Sequence, residues 1–258
     1  MNVRSFFEFI FKYFKQRYII YINIILKGKG GIILAKYVPE FKGLLRSHMI
    51  ELPRVIRDAS GIIIFGKRIK SLVFSTDVAI IKNTNADAVI AVYPFTPQPI
   101  ITEALLLASD IPVFCGVGGA ITTGKRVVKL ALDAEFKGAM GVVMNSSISN
   151  EVVREMRDTI DLPIIVTVVS ELDDIDGRIE AGATILNVSG AKNTAKIVRK
   201  IREKYPEFPI IATGGPTDES IKETILAGAN AITYTPPSTG EILNDIMISH
   251  RKRYEADK

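Results

Sequence analysis

The sequence predicts a (β/α)8 barrel of the TIM type. Three observations carry this reading. From Ser71 onward a short apolar strand, a loop rich in Gly, Ser, Thr or Pro, and an amphipathic helical segment recur in turn. The recurrence can be followed eight times. The strand cores, such as Val-Ile-Ala-Val and Ile-Ile-Val-Thr-Val, are nearly continuous apolar runs, the mark of parallel strands buried on both faces. Alternation of strand and helix predicts right-handed crossovers and a parallel sheet, and eight units favour closure. An open doubly wound sheet would want a Gly-x-Gly-x-x-Gly turn after its first strand, and Phe74-Ser75-Thr76-Asp77 offers none.

The strands read, in order, as Ser71–Ser75, Ala88–Tyr93, Pro112–Gly116, Met140–Asn145, Pro163–Val168, Thr184–Val188, Pro209–Thr213 and Ala231–Thr235. Pro112, Pro163 and Pro209 open strands, where a missing N–H does least harm. Between strands the period changes. In Thr194–Lys204, Ala195, Ile197, Val198 and Ile201 form an apolar face, and Lys196, Arg199, Lys200 and Glu203 face outward. Helix starts are signalled at Asn150, Ser170-Glu171 and Asp218-Glu219. Gly182 and Gly228, each within an Ala-Gly-Ala run, supply the positive φ that stops a helix. Ahead of the first barrel strand, Met49–Ser60 reads as a helix. Gly61–Lys70, with a turn at Gly66-Lys67, reads as a hairpin or bend covering the N-terminal mouth of the barrel.

At 258 residues the chain suits one large domain, since barrels of this kind commonly run to about 250 residues. Its net charge of +5 is unevenly placed. Residues 1–48 hold nine Lys/Arg against two Asp/Glu, a balance of +7; residues 49–258 hold 24 against 26, a balance of −2. The division is therefore a basic, aromatic-rich extension, 1–48, and a barrel, 49–258. The barrel's charge and its lack of a basic stripe argue against nucleic acid as a partner. In the extension, Phe6, Phe7, Ile10, Phe11 and Phe14 lie opposite Glu8, Lys12, Lys15 and Gln16 on a helix. Three readings stay open: packing on the barrel or a second subunit, peripheral contact with a membrane surface, or translation starting at Met49. The run Tyr18 to Leu26 is too short to span a membrane, and no signal-peptide pattern is present. The expected location is the cytoplasm, with a homo-oligomer as one assembly state. A single cysteine, Cys115, excludes an intrachain disulfide and a cysteine-cluster zinc site. It reads as a small buried apolar residue. His48 and His250 lie away from every strand end.

In such barrels the site lies at the C-terminal strand ends. These ends are polar, small and rich in glycine, as in Ser75-Thr76-Asp77, Gly118-Gly119, Asn145-Ser146-Ser147 and Thr213-Gly214-Gly215. Gly214 and Gly215 precede a helix, which suits a phosphate held by backbone N–H groups and the helix N-terminus. Gly118, Gly119, Ser189, Gly190, Thr235 and Ser238 are further binding candidates. The carboxylates nearest strand ends are Asp77 and Glu171. With Asn145 and Asn187 they are the candidate catalytic set, as general acid and base or as ligands of a divalent cation such as Mg2+. The bland reading is that Asp77 and Glu171 begin their helices, where negative charge is favourable.

Thr213-Gly214-Gly215, Ile185-Leu186-Asn187-Val188 and Glu180-Ala181-Gly182-Ala183 resemble the phosphate-binding barrels. These include indole-glycerol-phosphate synthase, thiamine-phosphate synthase, the N-acylmannosamine-6-phosphate epimerases and keto-deoxy-phosphogluconate aldolase. The likeness covers roughly the last two-thirds of the chain. The barrel also resembles a group of bacterial barrel proteins that carry a hydrolase label. The resemblance implies an enzyme acting on a small phosphorylated metabolite by lyase, isomerase or hydrolase chemistry, or a non-catalytic sensor that keeps the phosphate cup. Two departures qualify it. After the eighth strand Pro236 and Pro237 replace donors. The aldolase's Schiff-base lysine position is matched here by Asn187, so imine chemistry is not expected.

Overall fold

The computed structural model describes residues 39–41, 43 and 49–256. The readings made for residues 1–38 lie outside them. Residues from Ile50 onward belong to one compact unit. Its first strands, β1 (Ile62–Ile64) and β2 (Lys67–Ile69), form an antiparallel hairpin. The eight barrel strands follow: β3 (Ser71–Phe74), β4 (Ala88–Ala91), β5 (Val113–Gly118), β6 (Gly141–Met144), β7 (Ile164–Val168), β8 (Ile185–Val188), β9 (Ile210–Thr213) and β10 (Ala231–Tyr234). All neighbours are parallel, and β10 pairs with β3 to close the barrel. A helix follows each strand: α1 (Val78–Lys82), α2 (Pro99–Ala108), α3 (Lys125–Phe136), α4 (Asn150–Arg157), α5 (Ile175–Ala181), α6 (Thr194–Lys204), α7 (Asp218–Leu226) and α8 (Thr239–Ala256). The predicted (β/α)8 fold is the observed one.

The prolines act as expected. Their carbonyls still pair: Val89 donates to Pro112, Val142 to Pro163 and Leu186 to Pro209, at 2.8, 3.0 and 3.1 Å. Gly182 (φ +116°) and Gly228 (φ +112°) end α5 and α7 in the left-handed region. The hairpin reverses at Phe65-Gly66, where both residues have positive φ (+46° and +78°). That twist matches the right-handed twist of the strands it joins. The turn thus lies one residue earlier than Gly66-Lys67.

Alternation along the strands sorts two cores. Inward residues Leu72, Ala88, Ile90, Phe114, Val143, Ile165, Ile185, Ile211 and Ala231 pack with Ile62, Ile64 and Ile69 of the hairpin. The hairpin therefore plugs the N-terminal end of the barrel. Outward residues pack beneath the helices, Cys115 among them. Burial pushes the Cys115 thiol up to about 12, so it is an uncharged packing group.

Two sequence expectations need correction. Met49–Ser60 contains only a 3-10 turn, Arg54–Asp58, after Pro53; with Ile50 drawn into a bridge with Thr84, too few residues remain for an α-helix. The fifth helix begins at Ile175, not at Ser170-Glu171. Asp173 first accepts from Val169 and Ser170 in a turn, and Asp174 then caps the helix through Gly177. No helix among the described residues is long and apolar enough to cross a membrane.

Candidate functional site

At the C-terminal mouth a cavity of ≈ 300 Å³ opens among the ends of β3 to β8. Its floor is Ile90, Val143, Thr167 and Asn187; its walls include Gly116, Gly118, Asn145 and Ser189; its rim carries Phe74, Phe95 and Ile121. Among the described residues, none that lines the cavity is Asp, Glu, His, Lys, Arg or Cys. The inward phase of each strand explains the floor. Thr167 follows Ile165, and Asn187 follows Ile185, so both point where their apolar predecessors point.

These polar groups are incompletely matched. Asn187 Nδ2 donates to Thr167 Oγ1 at 3.3 Å, and Thr213 Oγ1 donates to Ser189 Oγ at 3.3 Å. Asn187 Oδ1 and Thr233 Oγ1 are buried without a hydrogen-bond partner among the described residues. Thr233 follows inward Ala231 on β10, so both orphaned oxygens belong to the barrel interior. Unpaired buried oxygens are uncommon and mark places where a ligand or water is held.

The loops at the mouth are pinned from below. In β5 the register with β6 shifts between Gly116 and Gly118, a bulge that bends the strand toward the site. Asn145 N–H donates to Gly118 O at 3.0 Å, and Ser147 Oγ donates to Gly119 O. A Cβ on Gly119 would lie 2.9 Å from Asn145 N. Gly119 therefore serves close approach of two loops, at φ +112°. Arg178, which the sequence does not single out, reaches from α5 to Ser146 O at 2.7 Å, to Asn150 Oδ1 at 2.9 Å and to Ile148 O. It fixes the loop that carries Asn145.

Of the candidate residues, the cavity gathers Gly118, Asn145, Asn187 and Ser189. Asp77, Glu171, Gly119, Gly190, Gly214, Gly215, Thr235 and Ser238 are not among its lining. Asp77 is the N-cap of α1, accepting from Ala79 at 2.8 Å and Ile80 at 3.4 Å, and it also accepts from Thr239 Oγ1. The Thr239 bond, opposed by partial burial and aided by the two backbone bonds, holds its carboxyl below the usual range. Glu171 lines a separate crevice between α5 and α6, where it pairs with Lys196 at 2.7 Å. Asp77 and Glu171 therefore lie apart from the cavity that holds Asn145 and Asn187. Among the described residues no group of three or more His, Cys, Asp or Glu is placed to hold a metal.

Three of the expected phosphate donors are engaged within the chain. Gly214 N–H donates to Thr233 O at 3.3 Å, and Gly190 N–H to Thr194 Oγ1 at 3.1 Å. Ser238 N–H and Oγ both donate to Glu241 Oε2, at 2.7 and 2.8 Å, while Glu241 N–H donates back to Ser238 Oγ at 3.2 Å. That reciprocal pair is the capping box of α8. Glu241 occupies the place an anion would take, and Asp218 and Glu219 stand in the first turn of α7.

Asp77 offers a clean test of the capping role. Asp77→Ala should cost about 1 kcal/mol, and Asp77→Asn, itself a good cap, much less. Because the folded carboxyl is depressed, its contribution is complete above the unfolded value of about 4 and is lost as pH falls through the folded value. Urea unfolding of wild type and Asp77→Ala should show a gap that is constant near neutrality and narrows in acid. A gap unchanged down to about pH 2 would contradict this origin.

Comparison with known proteins follows the same line. No protein-family model matches the chain, and no curated protein matches it. Solved structures do. 2,3-Dimethylmalate lyase, a member of the PEP mutase/isocitrate lyase superfamily, superposes with a TM-score of 0.55 at 12% identity, over 79% of this chain and 86% of that one. Phosphonopyruvate hydrolase, solved with oxalate and Mg++, gives 0.54 at 11% over 73% and 83%. Mandelate oxidase gives 0.55 at 14% over 69% and 68%. These likenesses show a shared (β/α)8 barrel. They do not single out the phosphate-binding barrels that the glycine motifs resemble.

Proposed function

We propose that this protein is a small-molecule-binding barrel that holds its ligand at the C-terminal mouth through neutral amide and hydroxyl groups. One observation carries the reading: among the described residues, Asn187 Oδ1 on the cavity floor has no partner, and no lining residue carries a formal charge at neutral pH. An acceptor in that position fits a ligand hydroxyl or N–H. A dianionic group would find no cation among the described lining residues, and Asp77 and Glu241 add negative charge beside β3 and β10. The functional class is that of a binding or sensing protein for a small, uncharged, hydroxyl- or amide-bearing metabolite.

A second reading is an enzyme acting on a small phosphorylated metabolite. The Gly214-Gly215 turn before α7 supports the phosphate, and similar barrels, a phosphonopyruvate hydrolase and a 2,3-dimethylmalate lyase, support hydrolase or lyase chemistry on a small anionic substrate. One experiment separates the two: a thermal-shift screen of neutral polyols, sugars and amides, each beside its phosphorylated partner, with and without Mg2+. A ligand at 100 times its dissociation constant adds about 2.7 kcal/mol. Neutral members should raise the midpoint and their phosphorylated partners should not. The reverse pattern would establish the phosphate reading. Gly215→Asp would be a poor probe of it, because Gly215 has φ +82° and a Cβ there would lie 2.6 Å from Ser220 Oγ. That variant strains the fold whatever is bound.

A further inference from the structure

Above its polar floor the mouth of the barrel turns apolar again. Along β7 and the residue after it, the inward positions are Ile165, Thr167 and Val169. They run from apolar core to polar floor to apolar lip. On β3, Phe74 takes the same inward phase beyond Leu72. Phe74, Phe95, Ile121 and Val169 all line the cavity, yet they are 39%, 73%, 84% and 46% exposed. Phe74 ends β3 and Val169 follows β7, four strands apart in the closed ring of eight, so these side chains stand on opposite sides of the opening. The loops that carry the two most exposed ones are held. Gly119 N–H donates to Thr122 O at 2.8 Å, which closes the turn bearing Ile121, and Thr122 itself is buried. Gln98 N–H donates to Tyr93 Oη at 2.9 Å, which closes the loop bearing Phe95. Pro94 and Pro97 fix φ on either side of that residue.

Large apolar side chains held out in water at the lip of a cavity mark a ligand-binding groove. The floor beneath says what covers them. A small polyol or amide would satisfy Asn187 Oδ1 and leave the lip in water. A purely apolar molecule would cover the lip and leave Asn187 Oδ1 unpaired, which is costly in a buried place. Only a molecule with both parts covers both. We propose that the ligand is a neutral amphiphile. Its hydroxyl or amide head sits on Thr167 and Asn187, and its apolar chain or ring rises between Phe74, Phe95, Ile121 and Val169. This rests on the reading of the mouth as a neutral-ligand site and adds the apolar part of the ligand to it. Because the collar is held in place before binding, the ligand does not have to order it, and apolar contact converts efficiently into affinity.

Calorimetric titration of the full chain with neutral vicinal diols, from ethylene glycol to octanediol, tests this. The head is the same throughout and only the apolar part grows. Each added methylene should tighten binding by about fourfold, equivalent to about 0.8 kcal/mol per buried methylene, until the chain outgrows the collar. Phe95→Ser/Ile121→Ser should lose that dependence on length. Both side chains are largely exposed, so the double variant should unfold near the wild-type temperature without ligand. Asn187→Leu should bind octanediol about tenfold more weakly. Equal affinity along the series overturns the amphiphile and leaves the neutral-ligand reading standing. A length dependence that survives Phe95→Ser/Ile121→Ser overturns the collar. Tightening with length that Asn187→Leu does not weaken overturns the head, and the neutral-ligand reading with it. Binding of no diol at all overturns the proposal, while the sugars and amides of the thermal-shift screen still judge that reading.

Discussion

Asn187→Leu should raise the thermal midpoint and abolish ligand-dependent stabilisation together. The two effects share one cause. Among the described residues Asn187 Oδ1 is buried with no partner, and an unpaired buried acceptor costs about 1–3 kcal/mol. Leucine keeps the approximate volume and removes the cost, as volume-conserving replacements in cores do. The loss of the 3.3 Å bond to Thr167 leaves a hydroxyl that can turn toward its neighbours, so the net gain should be about 1–2 kcal/mol, or roughly 2–4 °C per kcal/mol for a domain of this size. Thr233→Val should add about 1 kcal/mol by the same argument. Any ligand that raises the wild-type midpoint should then raise neither variant's as far, and Asn187→Leu's not at all. A gain in stability with a loss of binding is the signature of a polar group kept for a ligand. If Asn187→Leu instead loses more than about 1 kcal/mol, the oxygen already has a water partner and its role is structural.

Phe114→Ala should cost about 3–5 kcal/mol, the largest effect of any single side chain here. Phe114 is fully buried inside the barrel, on β5, and it meets Gly141 on β6. A Cβ at Gly141 would lie 2.8 Å from Phe114 Cδ1 and 3.0 Å from Pro163 O. The ring fills the space that glycine leaves. Gly141→Ala alone should therefore cost about 1–3 kcal/mol through overpacking. In a Phe114→Leu background the same change should cost less, with a coupling of about 1 kcal/mol. Urea midpoints of the four proteins give the cycle. Strict additivity would mean that the Pro163 carbonyl, and not the ring, sets the limit at Gly141.

Capping explains which site candidates lie outside the cavity. In a (β/α)8 barrel each strand end is followed within a few residues by a helix start. Helix starts need Ser, Thr, Asp or Asn to bind their unpaired N–H groups, and those same residue types bind ligands. Asp77 caps α1, Thr217 with Ser220 caps α7, and Ser238 with Glu241 caps α8. Asn187 and Thr167 carry a different mark. Each is a polar residue at an inward position of an otherwise apolar strand, two residues beyond Ile185 and Ile165. The inward phase was visible at Asn187, and it would also have found Thr167 and Thr233.

The chain by itself determined its barrel. Eight apolar strands, their opening prolines and the glycine stops at Gly182 and Gly228 are local features, and hydrophobic period and backbone conformation act over a few residues. The plugging hairpin was legible for the same reason. Which polar residues converge was decided only by tertiary structure. Glu171 stands near a strand end in sequence, yet Lys196 draws it into the crevice between α5 and α6. Arg178 stands on a helix in sequence, yet it fixes the loop that carries Asn145. Side-chain direction and the closing of loops depend on contacts between residues tens of positions apart, and no local period records them.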